Sequence, residues 1–207
     1  MTLLFAAAGV IGLHLSQIAD KSIFMHVEIE ALSDSKPAEF NAKLNLAREI
    51  FFETSNTKSF ASAEERDAFA MRWFYRYASH CPGAFLLAKA NGSIIGYLAG
   101  CFDTFGLPAR PIIGDLPYYD ADISGALSQF PSHFHINVAP GNQGRGIGRR
   151  LLDRFAEVCR DDGSRGIHVV TGATAPSVKF YQACGFCQMK DIPEKHNRLS
   201  ILTFELT

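Results

Sequence analysis

The chain has 207 residues, a length that fits one domain or one domain with a decoration. Hydrophobic residues make up 47% and charged residues 20%, enough for a real core, and the formal net charge of -1 gives no electrostatic handle for nucleic acid or another polyanion. Five scattered cysteines, an odd number, argue against a disulfide framework and fit a reducing, cytoplasmic compartment.

Leu3 to Leu15 is apolar but shorter than the roughly 20 residues of a bilayer span. No Lys or Arg precedes Lys21, so the basic start of a signal peptide is missing and no membrane partner is expected. Residues 1–24 are set aside as an N-terminal extension, and the domain is expected over 25–207. His26 to Leu32 alternates polar and apolar residues as a half-buried strand. Pro37 then opens a helix carrying Phe40, Leu44, Leu46, Ile50 and Phe51. Ser62 to Glu65 has the form of a capping box, and the helix it starts runs to about Ala78, with Phe69, Trp73 and Phe74 read as core.

Ala84–Ala90 and Ser93–Phe102 read as two strands joined at Asn91-Gly92, the dipeptide that best suits a two-residue hairpin. Asp103 to Phe130 has no long periodic run, and a loop of that length inside a compact domain is often functional. Ser132 to Val138 is a strand with Phe134, Ile136 and Val138 on one face and His133, His135 and Asn137 on the other. A glycine-rich turn, Ala139 to Gly146, leads into an amphipathic helix from Ile147 that ends at Asp161-Asp162-Gly163. Gly166–Val170 is a strand, Pro176–Cys184 a short helix, and Leu199–Leu206 a closing strand. The order describes an α/β chain, a mixed sheet with helices packed against it. Cys184 and Cys187 form a CxxC at the end of a helix. Zinc would need a second pair or histidines at ligand spacing, and a redox pair would open a helix, so they read as ordinary cysteines and no metal is expected.

Gln143-Gly144-Arg145-Gly146-Ile147-Gly148 lies between a strand and a helix. Glycines let a backbone approach a ligand closely, the helix start adds the positive end of its dipole, and Arg145, Arg149 and Arg150 add charge. Together they make a pyrophosphate cradle. A dinucleotide fingerprint would need a third glycine where Arg149 stands, and a P-loop would need Lys after Gly146, where Ile147 stands.

With this turn after a strand ending in Asn137-Val138, and with Phe180-Tyr181 preceding Gly185-Phe186, the chain resembles the GCN5-related N-acetyltransferases (GNATs). From His133 to Phe186 it also resembles the acetyltransferase-like domains related to those appended to O-GlcNAc hydrolases. The resemblance implies a single-domain, mostly antiparallel central sheet flanked by helices, and acetyl-CoA as co-substrate. It implies that Ile136, Asn137 and Val138 carry the pantetheine arm along their backbone. Gln143, Gly144, Arg145, Gly146, Ile147, Gly148 and Arg149 would hold the pyrophosphate, with Thr174, Ser177 and Phe180 completing the cofactor side. Thr174 and Ser177 stand where the family often has Asn and Ala.

Tyr181 is the expected acid toward the leaving thiolate, and His135 or His133 the expected base. Some relatives place a glutamate base where this chain has Ser132, so a non-catalytic acyl-CoA-binding module remains the alternative to a small-molecule N-acetyltransferase. The expected acceptor is a small primary amine; a homodimer is left open. Asp103, Asp115, Asp120 and Asp122 in the long segment, against one basic residue, Arg110, together with Tyr118 and Tyr119, suggest a lid lined by carboxylates and tyrosines for a cationic acceptor.

Overall fold

The computed structural model describes residues 26–106, 110–113, 116, 118–193 and 198–206; the extension at 1–24 and Asp115 lie outside them. Seven strands form one sheet in the order β1-β2-β3-β4-β5-β7-β6. β1 (Glu28–Ala31) pairs with β2 (Phe85–Ala90), which turns directly into β3 (Ser93–Cys101). The turn residues Asn91 and Gly92 have φ of 50° and 78°, the left-handed pair that a tight hairpin requires and that Asn-Gly tolerates. β4 (Ser132–Val138) follows antiparallel to β3, and β5 (Gly166–Gly172) lies parallel to β4. β7 (Arg198–Glu205) sits between β5 and β6 (Cys187–Pro193), antiparallel to both.

The helices cover both faces, so β2 and β3 are buried almost throughout and show no clear alternation. On one side lies α1 (Pro37–Thr54), together with a long helix built from α2 (Ala63–Ala70), a π-helical stretch Met71–Tyr75, and α3 (Arg76–His80). Phe74 is its core anchor, edge-on to Phe85 and Tyr97 with ring centroids 5.3 Å away in each case. On the other side lies α6 (Ile147–Asp161), which buries Leu151, Leu152, Phe155 and Cys159 along one stripe. Gly100 lets it approach: a Cβ there would stand 2.4 Å from the Phe155 ring. Residues between β3 and β4 add two short helices, α4 (Arg110–Ile113) and α5 (Ala121–Ala126), and α7 (Ser177–Ala183) precedes β6.

Three details differ from the sequence reading. β6 is an additional strand: it lies at the sheet edge, is mostly exposed and carries a register shift, so it lacks the buried alternation that marks a strand. Leu46, read with the apolar face of α1, is 54% exposed. In the capping box the Ser62 hydroxyl accepts from the Glu65 N–H as expected, but the Glu65 carboxylate accepts from Ala61 rather than from Ser62. Cys184, at the end of α7, and Cys187, at the start of β6, are free thiols.

Candidate active site

β4 and β5 pair only at Ser132–Ile167 and His133–His168. Beyond that point the two strands separate, and the β4 edge from Phe134 to Val138 has no pairing with β5. Its amides and carbonyls are open to an extended ligand that would add to the sheet like a strand. At the far end of β4 the chain folds into the glycine turn. Gln143 Nε2 donates to the Val138 carbonyl at 3.1 Å, and Gly141, Gly144 and Gly146 all have φ between 73° and 79°. Gly146 is the cap of α6. No side chain caps the helix, no acid lies in its first turn, and a Cβ at Gly146 would meet nothing within 4 Å. The N–H groups at 147–149 therefore converge on open space at the positive end of a 15-residue helix. These features suit a pyrophosphate.

The three arginines differ. Arg149 is drawn to Asp153 at 2.8 Å, and Arg150 donates to the Val27 carbonyl at 2.6 Å, where it ties down the start of β1. Arg145 makes no hydrogen bond or ion pair among the described residues and is exposed on the turn. Ile147 is buried, so only its backbone can face a ligand. Gly148 has a packing role: a Cβ there would come within 3.2 Å of the Phe180 ring. Ser177 and Thr171 share a 2.8 Å hydrogen bond that closes the top of β5 onto α7, while Thr174 is exposed beside it. The Asn137 side chain faces away from this region and donates to Tyr97 Oη at 2.8 Å.

Tyr181 is buried among Phe134, Phe180 and Phe186, next to the point where β4 and β5 part. Burial holds its phenol well above the usual value, so it remains protonated, and its hydroxyl makes no hydrogen bond among the described residues. The two histidines lie on the opposite face of β4, and they are not equivalent. His133 has both ring nitrogens engaged, Nδ1 with Thr104 Oγ1 at 2.7 Å and Nε2 with Tyr77 Oη at 3.1 Å. His135 is held by a hydrogen bond to the Trp73 backbone, and its Nε2 is buried without a partner. Burial pushes the His135 imidazole down to about 4, so it is neutral at physiological pH and can accept a proton.

His133 and His135 border a cavity of about 680 Å³ between the sheet, α1, the α2–α3 helix and the segment before β4. Phe134 and Val170 line its floor, on either side of the split. Its walls are aromatic: Phe51, Phe69, Trp73, Tyr77, Tyr118 and Tyr119. Phe69 and Trp73, read from sequence as core, are thus cavity walls, and only Phe74 of the three is fully buried. The extra residue of the π-helical stretch shifts the face of the helix and separates the two roles. Of the expected lid, Tyr118 and Tyr119 line the cavity, but its described aspartates do not. Asp103 accepts from the Phe105 N–H, Asp120 caps α5 by accepting from the Ile123 N–H, and Asp122 is exposed; none lines the cavity. Ser132 is buried at the base of β4, with its hydroxyl bonded to the Phe102 carbonyl.

Residues 44–186 match the model of the acetyltransferase (GNAT) family. The chain belongs to the GNAT acetyltransferase family. The family uses acetyl-CoA as its co-substrate. A 74-residue stretch is 36% identical to the streptothricin acetyltransferase of Streptomyces lavendulae, covering 35% of this chain and 39% of that protein. The chain thus spans well under half the length of this relative. Among solved structures, SsHAT superposes with a TM-score of 0.64 at 18% identity, over 87% of this chain and 98% of the other. The yncA protein of Salmonella typhimurium, solved with its cofactor acetyl-CoA, gives a TM-score of 0.54 at 17% identity, over 88% and 95%. At these identities the likeness carries the GNAT fold. Among the described residues no helix is long and apolar enough to cross a membrane.

Sequence reasoning missed Tyr77, which lines the cavity, and His168, which lies buried behind Tyr119. His168 was the one with a signal: a lone imidazole in the apolar run Gly166 to Val170 requires buried partners. It has them, Nδ1 on the Phe130 carbonyl at 2.6 Å and Nε2 on Tyr119 Oη at 2.9 Å.

Proposed function

We propose that this acetyltransferase transfers the acetyl group of acetyl-CoA to the primary amine of a small molecule. The observation that carries this reading is the aromatic cavity at the split between β4 and β5, with His135, whose buried Nε2 has no partner, among its lining residues. A pocket of about 680 Å³ walled by aromatic side chains suits a small molecule better than a protein chain, which would need a long groove.

On this reading the pantetheine arm pairs with the backbone of Ile136, Asn137 and Val138, and an N–H near Val138 polarises the thioester carbonyl. The turn from Gln143 to Gly146 and the N–H groups of Ile147, Gly148 and Arg149 hold the pyrophosphate, with charge from Arg145. Thr174, Ser177 and Phe180 flank that side. The acceptor ammonium enters from the cavity and gives a proton to His135 Nε2. Its nitrogen attacks the carbonyl carbon; the C–N bond forms, the C–S bond breaks, and the CoA thiolate takes the proton of Tyr181 from the other face of β4, while the second proton that the nitrogen loses on becoming an amide passes through solvent to restore the Tyr181 phenol. His133, with both ring nitrogens engaged, is a scaffold residue.

Thiol release from acetyl-CoA, measured over a panel of small amines and an amino-terminal peptide, tests the reading. Release with a small amine and not with the peptide is expected. CoA binding without release to any amine would favour a non-catalytic acyl-CoA-binding module.

A further inference from the structure

The polarity of the acceptor cavity follows from its hydrogen bonds. The Phe130 carbonyl can only accept, so the proton on His168 must sit on Nδ1, 2.6 Å away. His168 is fully buried and neutral, which leaves a lone pair on Nε2. Tyr119 Oη, 2.9 Å from that lone pair, must donate its only proton to it. The Tyr119 oxygen therefore meets a ligand as a hydrogen-bond acceptor alone. The same logic applies to His135. Its ring N–H is committed to the Trp73 backbone, so Nε2 is also an acceptor. Among the described lining residues there is no Lys, Arg, Asp or Glu. Ser55, Asn56 and Thr57 at the α1 rim offer both donors and acceptors.

These two acceptor atoms stand at the ends of one row of rings. From Tyr119 to His168 the centroids are 5.7 Å apart, from His168 to His133 5.8 Å, from His133 to Tyr77 5.5 Å, and from Tyr77 to His135 5.0 Å. The aromatic faces along the cavity favour a cation between them.

From this arrangement we infer that the acceptor carries, besides the amine that is acetylated at the His135 end, a second cationic hydrogen-bond donor held by Tyr119. The substrate class is a diamine or a guanidino-amine, and Tyr119 is its specificity-determining residue. A carboxylate at the second position would face the Tyr119 lone pair, with no counter-charge among the described lining residues. The inference rests on the small-amine reading and adds the second group.

Three acceptors of equal reach separate the possibilities: 1,4-diaminobutane, n-butylamine and 4-aminobutanoate, each assayed by thiol release at saturating acetyl-CoA. The expected order of kcat/KM places the diamine at least ten-fold above butylamine, a factor within the range of one hydrogen bond to a charged group, and aminobutanoate last. Tyr119→Phe keeps the ring and its tilted contact with Tyr118, whose centroid is 4.8 Å away, but removes the oxygen. It should bring the diamine-to-butylamine ratio close to one, mainly through the diamine KM. Unchanged CoA affinity by calorimetry shows that the variant is folded. Equal kcat/KM for diamine and butylamine in the wild type, or a ratio untouched by Tyr119→Phe, overturns the inference while leaving the amine reading in place. No release with any amine overturns both.

Discussion

On the α6 side of β4 the proposed binding groups are backbone amides, supplied by one unbroken stretch of chain from Phe134 to Arg149. On the α1 side they are side chains, brought together from α1, the α2–α3 helix, the segment before β4, and β4 itself. The first arrangement suits a ligand that never changes, because a backbone cradle admits little variation. The second can be rewritten one side chain at a time without disturbing the first. Tyr181 and His135 lie on opposite faces of the strand that divides these regions, and the proposed reaction uses both.

The comparison can be broken first at the chemistry. Tyr181→Phe should lower the single-turnover rate constant about 100- to 10,000-fold with little loss of CoA affinity, the usual worth of a positioned acid or base. His135→Gln should act within the same range and His133→Gln should not. Equal losses in the two histidine variants, both folded, would erase the distinction between a base and a scaffold.

A smaller effect is expected at the cradle. Gly146→Asp puts a side chain on a residue with φ of 77° and a carboxylate where the phosphates are expected. CoA affinity, read by calorimetry, should fall about ten- to hundred-fold by strain and repulsion together. Tyr119→Phe, by contrast, should leave CoA affinity alone; if it does not, the two sides are coupled and the division of labour fails. Gly148→Ala is expected to act differently from Gly146→Asp, because its Cβ would press on Phe180 rather than on the ligand.

The smallest effect concerns pH. His133 and His168 are buried and bind protons less readily in the folded protein than in the unfolded chain, with His168 pushed down to about 4. Between roughly pH 6.5 and 4 the unfolded state therefore binds more protons, and stability falls as pH falls through that window. One pH unit there is worth up to about 1.4 kcal/mol per histidine. Thermal unfolding at pH 7, 6 and 5 should show a falling midpoint, and His168→Asn should flatten the trend. A midpoint that holds steady from pH 7 to 5 would mean that the network under the cavity is not built on neutral rings.

The two sides also differ in how much of them the sequence discloses. The cradle is legible because left-handed turns and close approach demand glycine at fixed spacing: Gly144 and Gly146 stand at consecutive positions of need, and Phe180 with Gly148 marks where α7 meets α6. The hairpin at Asn91-Gly92 is legible for the same reason. The aromatic wall is not. Phe69, Trp73 and Phe74 have one composition and two fates, decided by a single extra residue in a π-helical turn that leaves no mark in the periodicity. The aspartates before β4 suggest an acidic lid by composition, yet Asp103 and Asp120 are spent on turns and caps, a local use that net charge cannot distinguish. β6 escapes because an exposed edge strand needs no apolar alternation.

The two-residue junction between β4 and β5 makes the middle of the sheet its weakest seam. Strands β1 to β4 and strands β5 to β7 are each laced by longer ladders, and little backbone bonding crosses between the two halves. A ligand lying in that gap along β4 is a suture as well as a reactant. Its binding free energy adds directly to resistance against unfolding, by about 2.7 kcal/mol when it is present at a hundred times its dissociation constant. The durability of this protein would then follow the supply of acetyl-CoA, and a starved pool would loosen the molecule at its centre before its edges.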